Sequence, residues 1–188
     1  MRKETVYFDQ PGPTNTDATI AAAVQRAEEL GVSVLVVAST TGDSAEKLRA
    51  AVGDRPMRVV CVSYHAGFQR EDDAMPVARR EELRAQGIEV VICSHALSGV
   101  ERAIKNKFGT IGPLEIIAHA YRCFGQGMKV AIEIAVMAAD AACAPTGEDL
   151  IALGGSGKGC DCAVVLKAAH QNNFFDLRVR EVIAMARG

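Results

Sequence analysis

The chain has 188 residues, 49% of them hydrophobic but only 5% aromatic, and it contains no tryptophan. This length suits one domain, residues 1–188, with a large core of aliphatic side chains. The formal net charge is −2 and the sequence has no basic tract, so we expect neither nucleic acid nor an anionic membrane as a partner.

The cellular compartment is predicted from segments that the sequence lacks. No apolar run has the length of a transmembrane helix, and the stretch from Met1 to Thr5 carries no signal-peptide core. We therefore expect a cytoplasmic protein.

In a reducing compartment, the cysteines inside apolar runs are expected to be small core residues. These are Cys61, Cys93, Cys123 and Cys143. Cys160 and Cys162 are one residue apart with no second pair, so no zinc site is expected.

Helical patterns alternate with short apolar runs, as in an α/β domain. After an extended first segment, 5–13, the patterns predict strands at 34–38, 58–62, 89–93, 149–153 and 162–166. They predict helices near 16–30, 44–52, 76–86, 100–106, 114–124 and 128–143. The end, 176–185, is interpreted as a strand, with a helix left as the alternative.

The order of these elements predicts the sheet. Right-handed crossovers make the first four strands parallel, whereas the short link before 162–166 favours an antiparallel hairpin. The apolar terminal strand would be an exposed sheet edge unless it is paired, and we expect a homo-oligomer.

One strand ends in a turn that is typical of an anion site. The buried run 34–38 is followed by Ser39, Thr40, Thr41 and Gly42, and a helical pattern starts near Ser44. A helix N-terminus offers free backbone N–H groups and the positive end of its dipole, which favour a phosphate. The alternative is that Ser44 only caps the helix and the hydroxyls only finish the strand.

Other polar loops should meet this turn, because the carboxyl ends of parallel strands share one edge. We call this edge the rim, formed by residues 39–44, 63–68, 94–99 and 154–159. The buried helix should also begin there, with Gln126, Gly127 and Lys129.

The glycine-rich rim segment is a second candidate for phosphate contact. Its predicted binding residues are Gly154, Gly155, Ser156 and Lys158, through backbone N–H groups and one ammonium. It is not a nucleoside-triphosphate loop, because Ala152 and Gly159 stand where that motif needs glycine and Ser/Thr. The alternative is a hairpin loop with a solvated lysine.

Two of the four histidines follow predicted strands at the rim. His65 and His95 are candidates for ligand contact or acid–base chemistry. His119 lies inside a helix and is interpreted as structural, and His170 should lie at the opposite end of the sheet. Glu101 is the one further carboxylate of interest, and no catalytic triad or carboxylate pair has recognisable spacing, so catalytic residues stay unassigned.

The turn 39–44, the following helix and the strand after Arg55-Pro56 resemble the C-terminal domain of pyruvate kinase. The resemblance implies a three-layer α/β/α sandwich, mostly parallel with an antiparallel C-terminal edge. In that domain the corresponding strand, turn and helix hold phosphate of a sugar bisphosphate effector, and a second glycine-rich loop closes on the same ligand. Segment 154–159 resembles the second loop. The kinase's catalytic barrel has no counterpart in the sequence, so kinase activity is not implied.

The whole chain is also similar to a stand-alone prokaryotic family with this fold. The matching segments are 39–42, 94–102, 125–130, 136–140 and 170–176, of which the last two are specific. That resemblance implies bound flavin mononucleotide (FMN), with its phosphate at the turn 39–44 and its ring across the other loops. Tyr64 and Phe68 are the nearest candidates for stacking.

Three functions stay open at this point. The first is binding of a phosphorylated small molecule, FMN by preference, in an enzyme or a carrier. The second is a regulatory module that senses a sugar phosphate without catalysis. The third is an interaction subunit whose rim no longer binds a ligand.

Overall fold

A computed structural model describes residues 3–68 and 74–187. The strands are β1 Val6–Phe8, β2 Val34–Ala38, β3 Arg58–Ser63, β4 Ile88–Ile92, β5 Asp149–Gly154, β6 Cys162–Lys167 and β7 Arg178–Ala186. The helices are α1 Thr16–Leu30, α2 Asp43–Val52, α3 Val77–Ala85, α4 Glu101–Phe108, α5 Pro113–Arg122 and α6 Gln126–Asp140. Short 3-10 helices occupy Pro13–Asn15 and Gln171–Asp176. The predicted elements are therefore present, with their ends shifted by a few residues.

The strands form one seven-stranded sheet in the order β1-β7-β6-β5-β2-β3-β4. Strand β2 pairs in parallel with β3 and β5, and β3 pairs in parallel with β4. Strand β6 runs antiparallel to both β5 and β7. The predicted parallel strands and the antiparallel hairpin are confirmed, and the carboxyl ends of β2 to β5 share one edge.

The C-terminal segment is a strand, as predicted, but it does not form the edge of the sheet. Strand β1 pairs with β7 in parallel, with Val6 opposite Ala184 and Phe8 opposite Ala186. The extended N-terminal segment thus covers the terminal strand within the same chain. Strand β1 therefore supplies the pairing that the apolar β7 needs, and the homo-oligomer stays a prediction.

Helices cover both faces of the sheet, so the predicted three-layer sandwich is confirmed. Helix α6 packs on one face, with residues from Met128 to Ala139 in a core that includes Val36 and Val164. Helices α1 and α2 pack on the other face against residues such as Leu35 and Ile151. Because β2, β3, β5 and β6 are buried on both faces, their sequences are almost continuously apolar.

The cysteines do not all lie in the core. Cys61, Cys160 and Cys162 are buried, and burial raises the pKa of each thiol to about 12. Cys93 and Cys143 are partly buried and Cys123 is exposed, so the core assignment is wrong for Cys123.

Within residues 3–68 and 74–187, no helix combines the length and hydrophobicity that a membrane span requires.

Candidate functional site

A cavity of about 320 Å³ lies at the rim, between the carboxyl ends of the strands and α6. The segments that follow β2 and β5 both line it, although more than a hundred residues separate them in the chain. The predicted site residues that line this cavity are Ser39, Thr40, Thr41, Ser44, His95, Gln126, Gly155 and Lys158. The rim loops therefore converge as the parallel topology predicts.

The turn after β2 is held by its own hydroxyl groups. Helix α2 begins at Asp43, with Gly42 before it, and the amide of Ser44 donates to Ser39 Oγ at 3.2 Å. Ser39 therefore takes the capping role that the alternative interpretation gave to Ser44. In the described part of the chain, the amides of Thr40, Thr41 and Gly42 donate to no protein acceptor. These amides stay available to an anion at the start of α2.

Arg79 of α3 clamps this turn from outside. Its Nε donates to the carbonyl of Thr41 at 2.9 Å, and its guanidinium pairs with Glu46 of α2 at 2.7 and 3.0 Å. Gly42 has a φ of 95°, and a Cβ there would lie 2.8 Å from Leu83 Cδ1. Gly42 thus shapes the turn against α3 and does not line the cavity. The charged helical pattern at 76–86 gave no sign of this role for Arg79.

The glycine-rich loop after β5 is anchored by a buried carboxylate. Asp161 accepts the amides of Gly12 at 2.9 Å and Ser156 at 3.1 Å, so it joins this loop to the segment before α1. A Cβ on Gly155 would lie 2.0 Å from the carbonyl oxygen of Gly159, which shows how tightly the loop closes. The amides of Gly157, Lys158 and Gly159 have no protein acceptor among the described residues. The loop therefore offers a second group of free donors to the same cavity.

Several predicted site residues lie elsewhere. A Cβ on Gly154 would lie 2.2 Å from the carbonyl oxygen of Gly127 and 2.6 Å from the amide nitrogen of Ala131. Gly127 and Gly154 therefore let α6 approach β5, which is a packing role. Ser156 lines a neighbouring cavity of about 290 Å³, together with Gly127.

Aromatic side chains form another part of the cavity wall. The ring centroids of Tyr64 and Phe68 are 4.4 Å apart, and those of Phe68 and His95 are also 4.4 Å apart. His65 lies behind this group, 5.0 Å from His95, and does not line the cavity itself. Apolar wall residues adjoin the cluster, namely Ala38, Val62, Val130, Ile134 and Met137. The cavity thus has a polar part and an aromatic, apolar part.

A buried ion pair lies on the α6 wall. Lys129 Nζ contacts Glu133, and Glu133 Oε1 accepts the amide of Leu97 at 2.9 Å. His95 is 8% exposed, and burial lowers its pKa to about 4, assisted by the positive charges of Lys129 and Arg102 and only partly opposed by Glu133. The imidazole is therefore neutral near pH 7.

The structure also corrects the roles of two polar residues outside the cavity. The carboxylate of Glu101 accepts the amides of Leu114 at 3.1 Å and Glu115 at 2.9 Å, so it caps the start of α5. His119 is exposed on α5, which contradicts its structural interpretation. His170 is 3.1 Å from Asp140 at the far end of α6, away from the rim as predicted.

Arg102 and Arg122 are cavity residues that the sequence did not single out as ligand contacts. Neither follows a strand, so position relative to the sheet gave no signal for them. Together with Lys158, the two arginines give the polar part of the cavity wall a positive charge. The described residues contain no group of His, Cys, Asp or Glu arranged to hold a metal ion. The arrangement suits an anion that also carries an apolar or aromatic group.

The model of the family named "Pyruvate kinase, alpha/beta domain" matches residues 17–166. The chain belongs to this family. The matched part of this chain, residues 17–166, includes both loops with free amides and the whole of α6.

Solved structures give a weaker likeness to this domain. Pyruvate kinase from Cryptosporidium parvum is 13% identical with a TM-score of 0.44, and the match covers 82% of this chain and 23% of that one. A hydrogen sulfide-producing enzyme from Fusobacterium nucleatum is 21% identical with a TM-score of 0.30, covering 50% of this chain and 32% of the other. The chain thus spans about a quarter of the length of the pyruvate kinase.

Proposed function

We propose that this protein binds a phosphorylated small molecule at the rim cavity, with FMN as the preferred ligand. One observation carries the proposal: the loops after β2 and β5 bring free backbone amides to one cavity whose remaining wall is aromatic and apolar. A dianion at one end and a flat ring at the other would match these two parts.

The phosphate would accept hydrogen bonds from the amides of 40–41 and 157–159, with Lys158 supplying positive charge. The ring would lie against Tyr64 and Phe68. A volume of about 320 Å³ falls within the range of small-molecule sites, which is roughly 300–1,000 Å³. When bound, FMN supplies electron or hydride transfer. The polypeptide's own part is to hold and orient the ligand and, through buried Lys129, to place a cation on the cavity wall.

One charge opposes the proposed phosphate position. Asp43 also lines the cavity, at the start of α2. Its carboxylate is 77% exposed and lies 3.8 Å from Arg79 Nη2, so water and the guanidinium both weaken its repulsion of an anion. The free amides and Lys158 outweigh this exposed carboxylate.

A sugar phosphate sensor without catalysis is the second candidate. The amides of the two loops recognise a phosphate whatever it is attached to, so this half of the cavity favours neither ligand. The cluster of Tyr64, Phe68 and His95 favours FMN, because its flat aromatic ring would cover more of these side chains than the C–H groups of a sugar.

The decisive experiment combines identification and binding. Mass spectrometry of small molecules that co-purify is followed by thermal melting with FMN, riboflavin and fructose 1,6-bisphosphate. FMN should raise the melting temperature, riboflavin should raise it much less because it lacks the phosphate, and the bisphosphate should have no effect. A higher melting temperature with the bisphosphate alone would favour the sugar phosphate sensor. An unchanged melting temperature with all three compounds would favour an interaction subunit whose rim binds no ligand.

A charge substitution locates the bound phosphate. Thr41→Glu adds a negative charge beside the free amides and should weaken FMN binding at least tenfold, whereas Thr110→Glu, in an exposed loop outside the cavity, should not. Equal affinity in both variants would refute the phosphate position. A cytoplasmic location and a homo-oligomeric state stay predictions alongside this proposal.

A further inference from the structure

A second cavity of about 440 Å³ opens beside the first, between α4 and α5. Phe68, Arg102, Arg122 and Lys129 line both cavities, so the two spaces share a wall. Apolar side chains, Leu97 and Ala118, complete part of the second one. There is thus room for a second small molecule next to the proposed ligand.

Most charged groups in this second cavity already have partners. Lys105 pairs with Glu115, Lys129 pairs with Glu133, and Glu101 caps α5. The charges of each ion pair neutralise each other, and the carboxylate of Glu101 accepts two backbone amides. They leave little negative charge to repel an incoming anion.

Arg102 and Arg122 differ from these charged groups in their contacts. Arg102 lies with its Cζ 4.5 Å from the Phe68 ring centroid, and Arg122 Nε donates to Gln126 Oε1 at 2.7 Å. Across residues 3–68 and 74–187, neither guanidinium forms an ion pair with a carboxylate. A guanidinium has five N–H donors, so each side chain keeps several donors for a ligand.

We propose that Arg102 and Arg122 form an anion subsite for a second substrate, a small molecule that carries a carboxylate or a phosphate. It binds between α4 and α5 while the first ligand occupies the rim cavity. Phe68, which lines both cavities, would separate the two molecules or contact both. This subsite does not require that the first ligand be a flavin.

Binding of simple anions tests this subsite. The probes are malonate and inorganic phosphate, with malonamide as the neutral counterpart of malonate, added to ¹⁵N-labelled protein with and without saturating FMN. The Arg102 and Arg122 Nε–Hε signals, assigned from the variants, should shift with an anion and not with malonamide. A stronger response to malonate would indicate a carboxylate substrate, and a stronger response to phosphate a phosphorylated one.

Charge-matched variants provide the control. Arg102→Gln and Arg122→Gln should each weaken anion binding at least fivefold, and the double variant more than twentyfold. Lys107→Gln removes the same charge from α4 outside both cavities and should change binding less than twofold. Equal weakening by Lys107→Gln, or unchanged binding in the double variant, would overturn the subsite.

The outcome is separable from that of the proposed function. Anion binding at the arginines without any FMN binding would refute the flavin and retain the subsite. FMN binding without any change in the arginine signals would support the flavin site and refute the anion subsite. If FMN abolished the anion response, the two molecules would compete, and simultaneous binding would be refuted.

Discussion

Arg79 and Glu46 form a two-pronged ion pair between α3 and α2, with nitrogen–oxygen distances of 2.7 and 3.0 Å. The same arginine donates to the carbonyl of Thr41, so it couples the turn after β2 to two helices. The pair also lowers the pKa of the Glu46 carboxyl, because the ionised form accepts both bonds. A residue outside the cavity therefore holds the turn whose amides face the proposed phosphate.

Replacing Arg79 should loosen this turn without removing a ligand contact. We expect Arg79→Met to weaken FMN binding about tenfold while lowering the free energy of unfolding by only about 1 kcal/mol, because the pair is partly exposed. Calorimetric titration and urea denaturation measure the two effects. Arg84→Met, on an exposed position of the same helix, is the control and should change neither. Unaltered affinity in Arg79→Met would show that the turn needs no clamp.

A methyl group at Gly154 should disrupt the packing of α6 on β5. Its Cβ would lie 2.2 and 2.6 Å from backbone atoms of α6, which cannot move like a side-chain tip. We expect Gly154→Ala to reduce the free energy of unfolding by about 3 kcal/mol or more. Gly147→Ala adds the same methyl group where no atom lies within 4 Å and should be nearly neutral. Similar denaturation midpoints for both variants would contradict the packing role.

The buried carboxylate of Asp161 should matter to both stability and ligand binding. Asp161→Asn can place its one oxygen where Oδ2 accepts both amides, but it removes the negative charge that strengthens the two bonds. We expect a loss of about 2 kcal/mol in the free energy of unfolding, with weaker FMN binding as the glycine-rich loop loosens. Asp149→Asn, at an exposed site next to Arg180, should have little effect on either. Full affinity in Asp161→Asn would show that the loop is held by other contacts.

The neutral state of His95 predicts how stability depends on pH. Its pKa is about 4 in the folded protein against the ordinary histidine value of about 6.5, so the unfolded chain binds the proton more readily between these values. The free energy of unfolding should therefore fall as the pH drops from about 6.5 to 4, by at most about 3 kcal/mol, and His95 should contribute no pH dependence above that window. Urea denaturation at several pH values measures the slope.

The variant His95→Gln tests the assignment of that slope. It should flatten the dependence between pH 6.5 and 4, whatever its effect on absolute stability. An unchanged slope in His95→Gln would assign the acid sensitivity to other groups.

Local patterns predicted much of the fold and one half of the site. The sequence predicted the strands 34–38 and 149–153 because each is a short apolar run. It predicted the loops that follow them because Ser, Thr and Gly residues cluster there. Parallel topology then brought both loops to one cavity. Glycine itself was ambiguous, since Gly42, Gly127 and Gly154 serve close packing while Gly155 lines the cavity.

By itself, the sequence determined the alternation of helices and strands, the parallel direction of β2 to β5 and the polar character of the rim. Only the tertiary structure decided which distant residues support that rim. Arg79 meets Glu46 across 33 positions and Asp161 meets Gly12 across 149, and β1 joins β7 from opposite ends of the chain. The physical reason is that hydrophobic periodicity depends on near neighbours, whereas ion pairs, buried acceptors and strand partners depend on how the folded layers bring remote segments together.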